Sequence, residues 1–263
     1  MKKVLYYEDE LKDDFSKVKF NSKPLEDTYQ YIPTNIFRRM IDFILFKCLA
    51  TPFGYIYSKV VWHEKYINKK VLKPYHGTGY FIYANHTRIA GDAFTPGVVC
   101  FPNKDYIITN NDSASNPFVR FFTKSLGALP LPSSLKGFKS FHTALKQRVD
   151  EGHPIVIYPE AHIWPYYTKI RPFTDSSFHY PVEMNKPVFT FTVTYQKRKY
   201  SKRPKTTIYV DGPFFMKEEL TRKENQKYLR DCAYNTMVER SKNSTYEYVQ
   251  FIKKENTNNE ENK

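Results

Sequence analysis

The feature that most constrains this chain is an alternation of short, continuous apolar runs, each followed by a polar turn and then a segment with helical spacing. Gly79-Tyr-Phe-Ile-Tyr-Ala84, Asp105-Tyr-Ile-Ile-Thr109 and Pro154-Ile-Val-Ile-Tyr158 are the three clearest runs. Apolar runs this short, without internal alternation, suit strands buried on both faces, as in the middle of a parallel sheet. Between them, Asn116 and Pro117 have the pattern of a cap and first turn, opening a helix through Phe118, Phe121 and Phe122 to Gly127. Another helix is predicted from about Gly137 to Gly152, with Phe138, Phe141, Leu145 and Val149 on one face. Val188 to Tyr195 and Thr206 to Val210 are further β-rich runs, joined by the polar run Lys197 to Lys205, which reads as a hairpin loop. The expected fold is α/β, a mostly parallel sheet flanked by helices, with functional groups just past the C-terminal ends of strands.

Charge and apolar pattern add an N-terminal element. Across 263 residues, 41 Lys and Arg against 27 Asp and Glu leave a net charge of +14. Eight basic and two acidic residues give residues 31–75 a charge of +6, and seven against two give residues 181–215 a charge of +5. Such an excess favours anionic partners. In the first segment Arg38, Arg39 and Lys47 run beside Phe43, Phe46 and other apolar residues, the composition of a helix lying in a membrane interface or of an ordinary amphipathic core helix. From Thr34 the helical pattern runs to about Ala50, breaks at Thr51-Pro52-Phe53-Gly54, and resumes to about Lys70. The uncharged stretch Cys48 to Ser58 carries that break and is too short for a transmembrane span, and charge interrupts Met1 to Asp14 every few residues, so neither a span nor a signal peptide is expected. Three scattered cysteines support neither a disulfide scaffold nor a cysteine zinc site, so the cytosol is the default compartment. The organisation expected is an extension at 1–30, docking helices at 31–74, a catalytic domain at 75–252 and a disordered tail at 253–263.

Two strand ends carry reactive groups. Ala84 is followed by Asn85, His86, Thr87, Arg88, Ile89, Ala90, Gly91 and Asp92, and Tyr158 by Pro159, Glu160, Ala161 and His162. An aspartate at a helix start can hold one imidazole nitrogen and leave the other free to take a proton from a hydroxyl. The Gly-x-Ser-x-Gly pattern of a serine nucleophile is absent, so the pair fits direct acyl transfer to a bound acceptor. Two histidines and two carboxylates, His86, Asp92, Glu160 and His162, could instead form a metal site, as in a metal-dependent hydrolase.

These blocks together resemble the glycerolipid acyltransferases of the lysophosphatidic acid acyltransferase type. That family's first motif is Asn-His, four residues and Asp; here five residues separate His86 from Asp92. Lys124-Ser-Leu-Gly-Ala-Leu-Pro-Leu-Pro132 resembles its second block, Tyr158-Pro-Glu-Ala-His-Ile163 its third, and Asn185-Lys-Pro-Val-Phe-Thr-Phe-Thr192 its fourth. The resemblance implies His86 as general base, Asp92 as its orienting partner and Glu160 in acceptor binding or in positioning the His motif. It implies acyl-CoA or acyl-carrier protein as donor, a lysolipid as acceptor, and no other cofactor, metal or nucleic acid. The product with 1-acylglycerol-3-phosphate would be phosphatidic acid, made by a peripheral enzyme on the cytoplasmic face of the membrane.

The arginines that such enzymes commonly use for the acceptor's phosphate are missing, with Pro132 and Ile163 in their places. Arg88, Lys104, His162 and Arg171 are the candidate substitutes. A non-phosphate lysolipid or an amine is the alternative acceptor, and a non-catalytic membrane-binding homologue the alternative of another class. Trp164, Tyr166 and Tyr167 read either as packing or as an acyl groove.

Overall fold

A computed structural model describes residues 3–16, 24–111 and 117–254. Its centre is a seven-stranded sheet. In chain order these strands are β2 (Lys65–Ile67), β3 (Tyr80–Ala84), β4 (Tyr106–Thr109), β5 (Ala128–Pro130), β6 (Pro154–Ile157), β7 (Val188–Arg198) and β8 (Ser201–Phe214). Their spatial order is β2-β8-β7-β3-β6-β4-β5, and every neighbouring pair is parallel except β7 with β8. The three apolar runs of the sequence are β3, β4 and β6, side by side, because strands without a polar face can persist only where helices cover both sides.

Successive side chains of β3 point to opposite faces, and each face has its own core. Phe81 and Tyr83 join Phe141, Leu145 and Val149 of helix α5 (Leu135–Asp150), and Leu229 and Met237 of α7 (Arg222–Ser241). Tyr80 and Ile82 pack on the other face with Phe189, Phe191, Val193 and Ile208. Phe138, expected on the buried face of α5, is exposed, and the helix starts at Leu135, two residues earlier than expected, with Ser134 as its cap accepting the Gly137 N–H.

The N-terminal helix departs from expectation. Residues Ile36–Val60 form one uninterrupted helix: α1 (Ile36–Phe43), a π-helical segment at Ile44–Ala50, and α2 (Thr51–Val60). Asn35, not Thr34, is its cap. Pro52 lies inside this helix, directly after the π-helical segment, and the chain runs through it in helical geometry, with Thr51 Oγ1 donating to the Phe46 carbonyl at 2.8 Å. Gly54 faces α3 (Gly91–Cys100), where a Cβ would be in ordinary contact with Phe94 at 3.4 Å and Val98 at 3.6 Å, so the packing of α2 on α3 does not itself require glycine. By length and composition this helix is apolar enough to cross a membrane, contrary to the expectation of two short pieces.

The flanking regions also differ. The expected loop at 197–205 is a two-residue turn, Lys199-Tyr200, with the rest of the basic run in β7 and β8. Residues 3–7, within the expected N-terminal extension, form β1 (Lys3–Tyr7), which pairs in parallel with β9 (Val249–Lys253). The expected tail therefore starts no earlier than Lys254, and residues 255–263 lie outside the described residues, as does the predicted cap Asn116.

Candidate active site

Strands β3 and β6 are neighbours in register, Tyr83 opposite Ile157, so both polar strand ends leave the same edge of the sheet side by side. Asn85 fixes the start of the first loop. Its buried amide accepts from the Val193 N–H at 2.8 Å and donates to the Val193 carbonyl at 3.1 Å, clamping the end of β3 to β7.

His86 and Asp92 meet despite the extra residue between them. Asp92, in the first turn of α3, places Oδ2 2.9 Å from His86 Nδ1. The same oxygen accepts the backbone N–H groups of Thr87 at 3.0 Å and Arg88 at 2.9 Å. A carboxylate oxygen is acceptor-only, so Nδ1 carries the proton and Nε2 is left to accept one. The ring stacks on Tyr158, with centroids 4.4 Å apart and planes at 23°, and Tyr158 donates its hydroxyl to the Asp92 carbonyl at 2.6 Å. Burial and the Asp92 charge hold the Tyr158 phenol well above its ordinary pKa, so it acts as a hydrogen-bond donor.

Arg88 does not turn towards a ligand. Its guanidinium, 1% exposed, pairs with Glu64 and donates Nε to Asp92 Oδ1 at 3.2 Å and a terminal nitrogen to Thr95 Oγ1 at 3.1 Å. Glu64, also buried, accepts from Thr95 at 2.8 Å and from the Tyr66 hydroxyl at 2.6 Å. Arg88 is thus a positioning residue: it occupies the Asp92 oxygen that His86 does not use. Sequence reading missed Glu64, whose only signal is that a buried arginine requires a carboxylate partner.

Glu160 plays a similar structural part. It accepts the His86 N–H at 3.2 Å and the Arg171 N–H at 3.0 Å, and its Oε2 lies 3.3 Å from the Arg171 guanidinium. Burial raises its pKa, and the Arg171 charge and the two N–H groups oppose the rise. Arg171 is itself buried, with donors also to the carbonyls of Glu10, at 3.1 Å, and His162. Neither Arg88 nor Arg171 is available for an acceptor's phosphate. Lys104 Nζ donates to the Ser125 carbonyl at 2.7 Å beneath the N-terminal helix, and the His162 ring lies 3.9 Å from Asp14. Neither lines the hollow beside His86. Ala161 adopts φ 62, in the left-handed region where a glycine is at ease.

That hollow has a volume of about 530 Å³. His86, Asp92 and Tyr158 line it together with the apolar Ile107, Ile108 and Leu131, and Thr109, Asn110, Thr174, Ser176, Ser177 and His179 supply further polar groups. Among the described residues no lysine or arginine lines it. Likewise, among them no group of three or more His, Cys, Asp or Glu is arranged to hold a metal ion. Of the four metal-ligand candidates, His86 and Asp92 bond each other and Glu160 is engaged by backbone N–H groups and Arg171.

The docking residues divide as well. Phe43 and Arg39 are exposed, whereas Phe46 is buried beneath Lys104 and Arg38 is turned inward to Asp42 at 2.8 Å and Ser125 at 2.7 Å. Lys47 lies over the rings of Phe43 and Phe101. The outer surface of the helix is instead apolar, with Ile36, Phe37, Met40, Ile44, Phe53 and Ile56 each exposed by about half or more.

The sequence matches the model of the acyltransferase family over residues 61–194, half of the chain and the whole of this constellation, and the protein belongs to that family. Its structure is similar to that of the 1-acyl-sn-glycerophosphate (LPA) acyltransferase PlsC from Thermotoga maritima, with a TM-score of 0.55 and 16% identity. The likeness covers 82% of this chain and 86% of that one, and shows a shared fold. No curated protein sequence matches the chain. Trp164, considered for an acyl groove, is fully buried against Tyr7, Phe15 and Phe251.

Proposed function

We propose that this acyltransferase moves a fatty acyl group from a thioester, acyl-CoA or acyl-carrier protein, to the hydroxyl of a lysolipid, 1-acylglycerol-3-phosphate being the acceptor that the resemblance suggests. The observation that carries this reading is the His86 Nδ1 to Asp92 contact of 2.9 Å at the wall of a part-apolar hollow. Nε2 of His86 removes the acceptor's hydroxyl proton as its oxygen attacks the thioester carbonyl carbon. The tetrahedral adduct collapses with cleavage of the C–S bond, and the departing thiolate recovers the proton from Nε2. The chemistry needs no cofactor beyond the donor. General-base catalysis contributes about 10²–10⁴-fold, so His86→Ala should reduce acyl transfer by that factor. Transfer within tenfold of the parent would overturn the assignment.

A neutral or zwitterionic lysolipid, or an amine, is a second reading, favoured by the lack of a cationic side chain among the described residues lining the hollow. A dry site for a phosphate monoester calls for charge-assisted donors. Assaying transfer to 1-acylglycerol-3-phosphate, lysophosphatidylcholine and a long-chain amine side by side decides between them, since preference for the phosphate monoester would reject this second reading. The apolar outer face of the N-terminal helix supports peripheral attachment at the cytoplasmic face of a membrane: about a turn of it is tied to the domain through Arg38, Asp42 and Ser125, so it lies along the lipid rather than through it.

A further inference from the structure

A second cleft, of about 520 Å³, opens beside the loop that carries His86. It and the catalytic hollow share one lining residue, Ile89, whose side chain is half exposed. Ile89 is three residues from His86, so chain length alone keeps their Cα atoms within about 11 Å. Much of the cleft wall comes from outside the family-matched segment: β1, residues 14–15, the end of α2, the start of β8, and Tyr248-Val249.

One side of the cleft is aromatic. Tyr166 lies between Trp62 and Tyr248, with ring centroids 5.7 and 4.8 Å away. Its φ of 63 is rare for so bulky a residue, and its N–H donates to the Thr87 carbonyl at 2.9 Å. The catalytic loop therefore holds this ring in place. Two cations, Lys3 and Arg203, line the cleft against one acid, Asp14. Arg203 belongs to a run with six basic residues and no acid between Lys197 and Lys205.

An aromatic wall beside exposed cations suits a ligand with a planar ring and phosphates. The phosphate of a 1-acylglycerol-3-phosphate is only four bonds from the acceptor hydroxyl, a shorter reach than is suited to a cleft that meets the catalytic hollow only at Ile89. A donor whose phosphates and thioester stand at opposite ends of a long arm fits that separation. Building on the acyl-transfer reading, we propose that the cleft holds the nucleotide end of a coenzyme A thioester. Its purine packs among Trp62, Tyr166 and Tyr248, its phosphates meet Lys3 and Arg203, and its arm passes Ile89 to bring the acyl carbonyl to His86.

The test uses the full chain with adenosine 3′,5′-bisphosphate as probe, by calorimetry, and compares kcat/KM for an acyl-CoA with that for the matching acyl-pantetheine. The proposal expects the nucleotide to bind and Arg203→Glu, a surface change, to weaken it at least tenfold. It also expects Arg203→Glu and Tyr248→Ala to lower the preference for acyl-CoA over acyl-pantetheine about tenfold, through KM. No nucleotide binding, an equal loss with both thioesters, or transfer from acyl-carrier protein alone would overturn it. Nucleotide binding that is lost in Arg203→Glu, with no acyl transfer from any thioester, would uphold the cleft and overturn the acyl-transfer reading instead.

Discussion

Replacing Asp92 by Asn tests the dyad more sharply than removing His86, because the carboxylate has four donors around two oxygens. Oδ2 serves His86 Nδ1 and the N–H groups of Thr87 and Arg88, and Oδ1 serves Arg88 Nε. An amide has a single acceptor oxygen. Placed at Oδ2, it keeps His86 and the backbone satisfied but points NH₂ at the Arg88 guanidinium, donor against donor. Placed at Oδ1, it keeps Arg88 but orphans two backbone N–H groups and offers NH₂ to Nδ1, which must then accept. The proton moves to Nε2, and the base is lost. Loss of one charge-assisted hydrogen bond costs about 1.5–3 kcal/mol, so a folding penalty of roughly 2–4 kcal/mol follows for either orientation. For a chain of this size that lowers Tm by roughly 5–15 °C. In either orientation the negative charge that stabilises the imidazolium is gone, and in triads of known mechanism the same Asp-to-Asn change costs about 10⁴ in kcat. Asp92→Asn should therefore retain its circular dichroism at 20 °C, lose about 10³–10⁴-fold in kcat, and change KM for the donor by less than about threefold. A folded variant with kcat within tenfold of the parent would refute the orienting role.

Three further outcomes follow from the same contacts. Glu64→Leu strands a buried guanidinium and should destabilise the protein by about 3–5 kcal/mol in urea unfolding, whereas the double change Glu64→Leu with Arg88→Met should cost less than either single change. Asp105 is buried, with Oδ1 lacking a hydrogen-bond partner, and desolvation raises its pKa from 3.8 to about 7 although Lys104 opposes the rise. A carboxyl raised in this way binds its proton more tightly folded than unfolded. Its contribution is therefore fully present below about pH 4 and is lost as pH rises to about 7, by roughly 4 kcal/mol. Asp105→Asn should flatten that slope in denaturant melts between pH 4 and 8. Finally, Phe37→Glu with Ile56→Glu, on the exposed apolar face, should reduce partition into anionic liposomes at least a hundredfold, as each buried large side chain is worth about 1.5–3 kcal/mol. A soluble short-chain acceptor assay should be unaffected.

The sheet centre was legible because β3, β4 and β6 carry no polar face, and the strand-end rule then located His86 and Glu160. Asp92 was legible from its place at a helix start. What spacing could not reveal was direction. Arg88 follows His86 by two residues and reads as a ligand contact, yet its partner is Glu64, 24 residues upstream on another element. Arg171 and Phe46 were misread in the same way: a charge or a ring has no sequence mark for inward or outward unless the helix phase is known. The phase of the N-terminal helix was obscured by Pro52 and Gly54, which usually end helices but here lie within one that continues through both. The outer cleft was illegible because its walls come from segments more than 200 residues apart.

That separation has a consequence for how the protein comes into being. Pairing of β1 with β9 joins Lys3 to Val249 and Tyr7 to Lys253, among the longest loop closures the chain can make, and such contacts form late because their entropy is paid before they are rewarded. On a ribosome the His86–Asp92 pair can assemble once residues up to β7 have emerged, whereas the cleft waits for the last strand. The molecule would pass through a stage with its base in place but one wall of the outer cleft unbuilt, so the order of synthesis itself delays engagement of a cleft-bound ligand until the fold is complete.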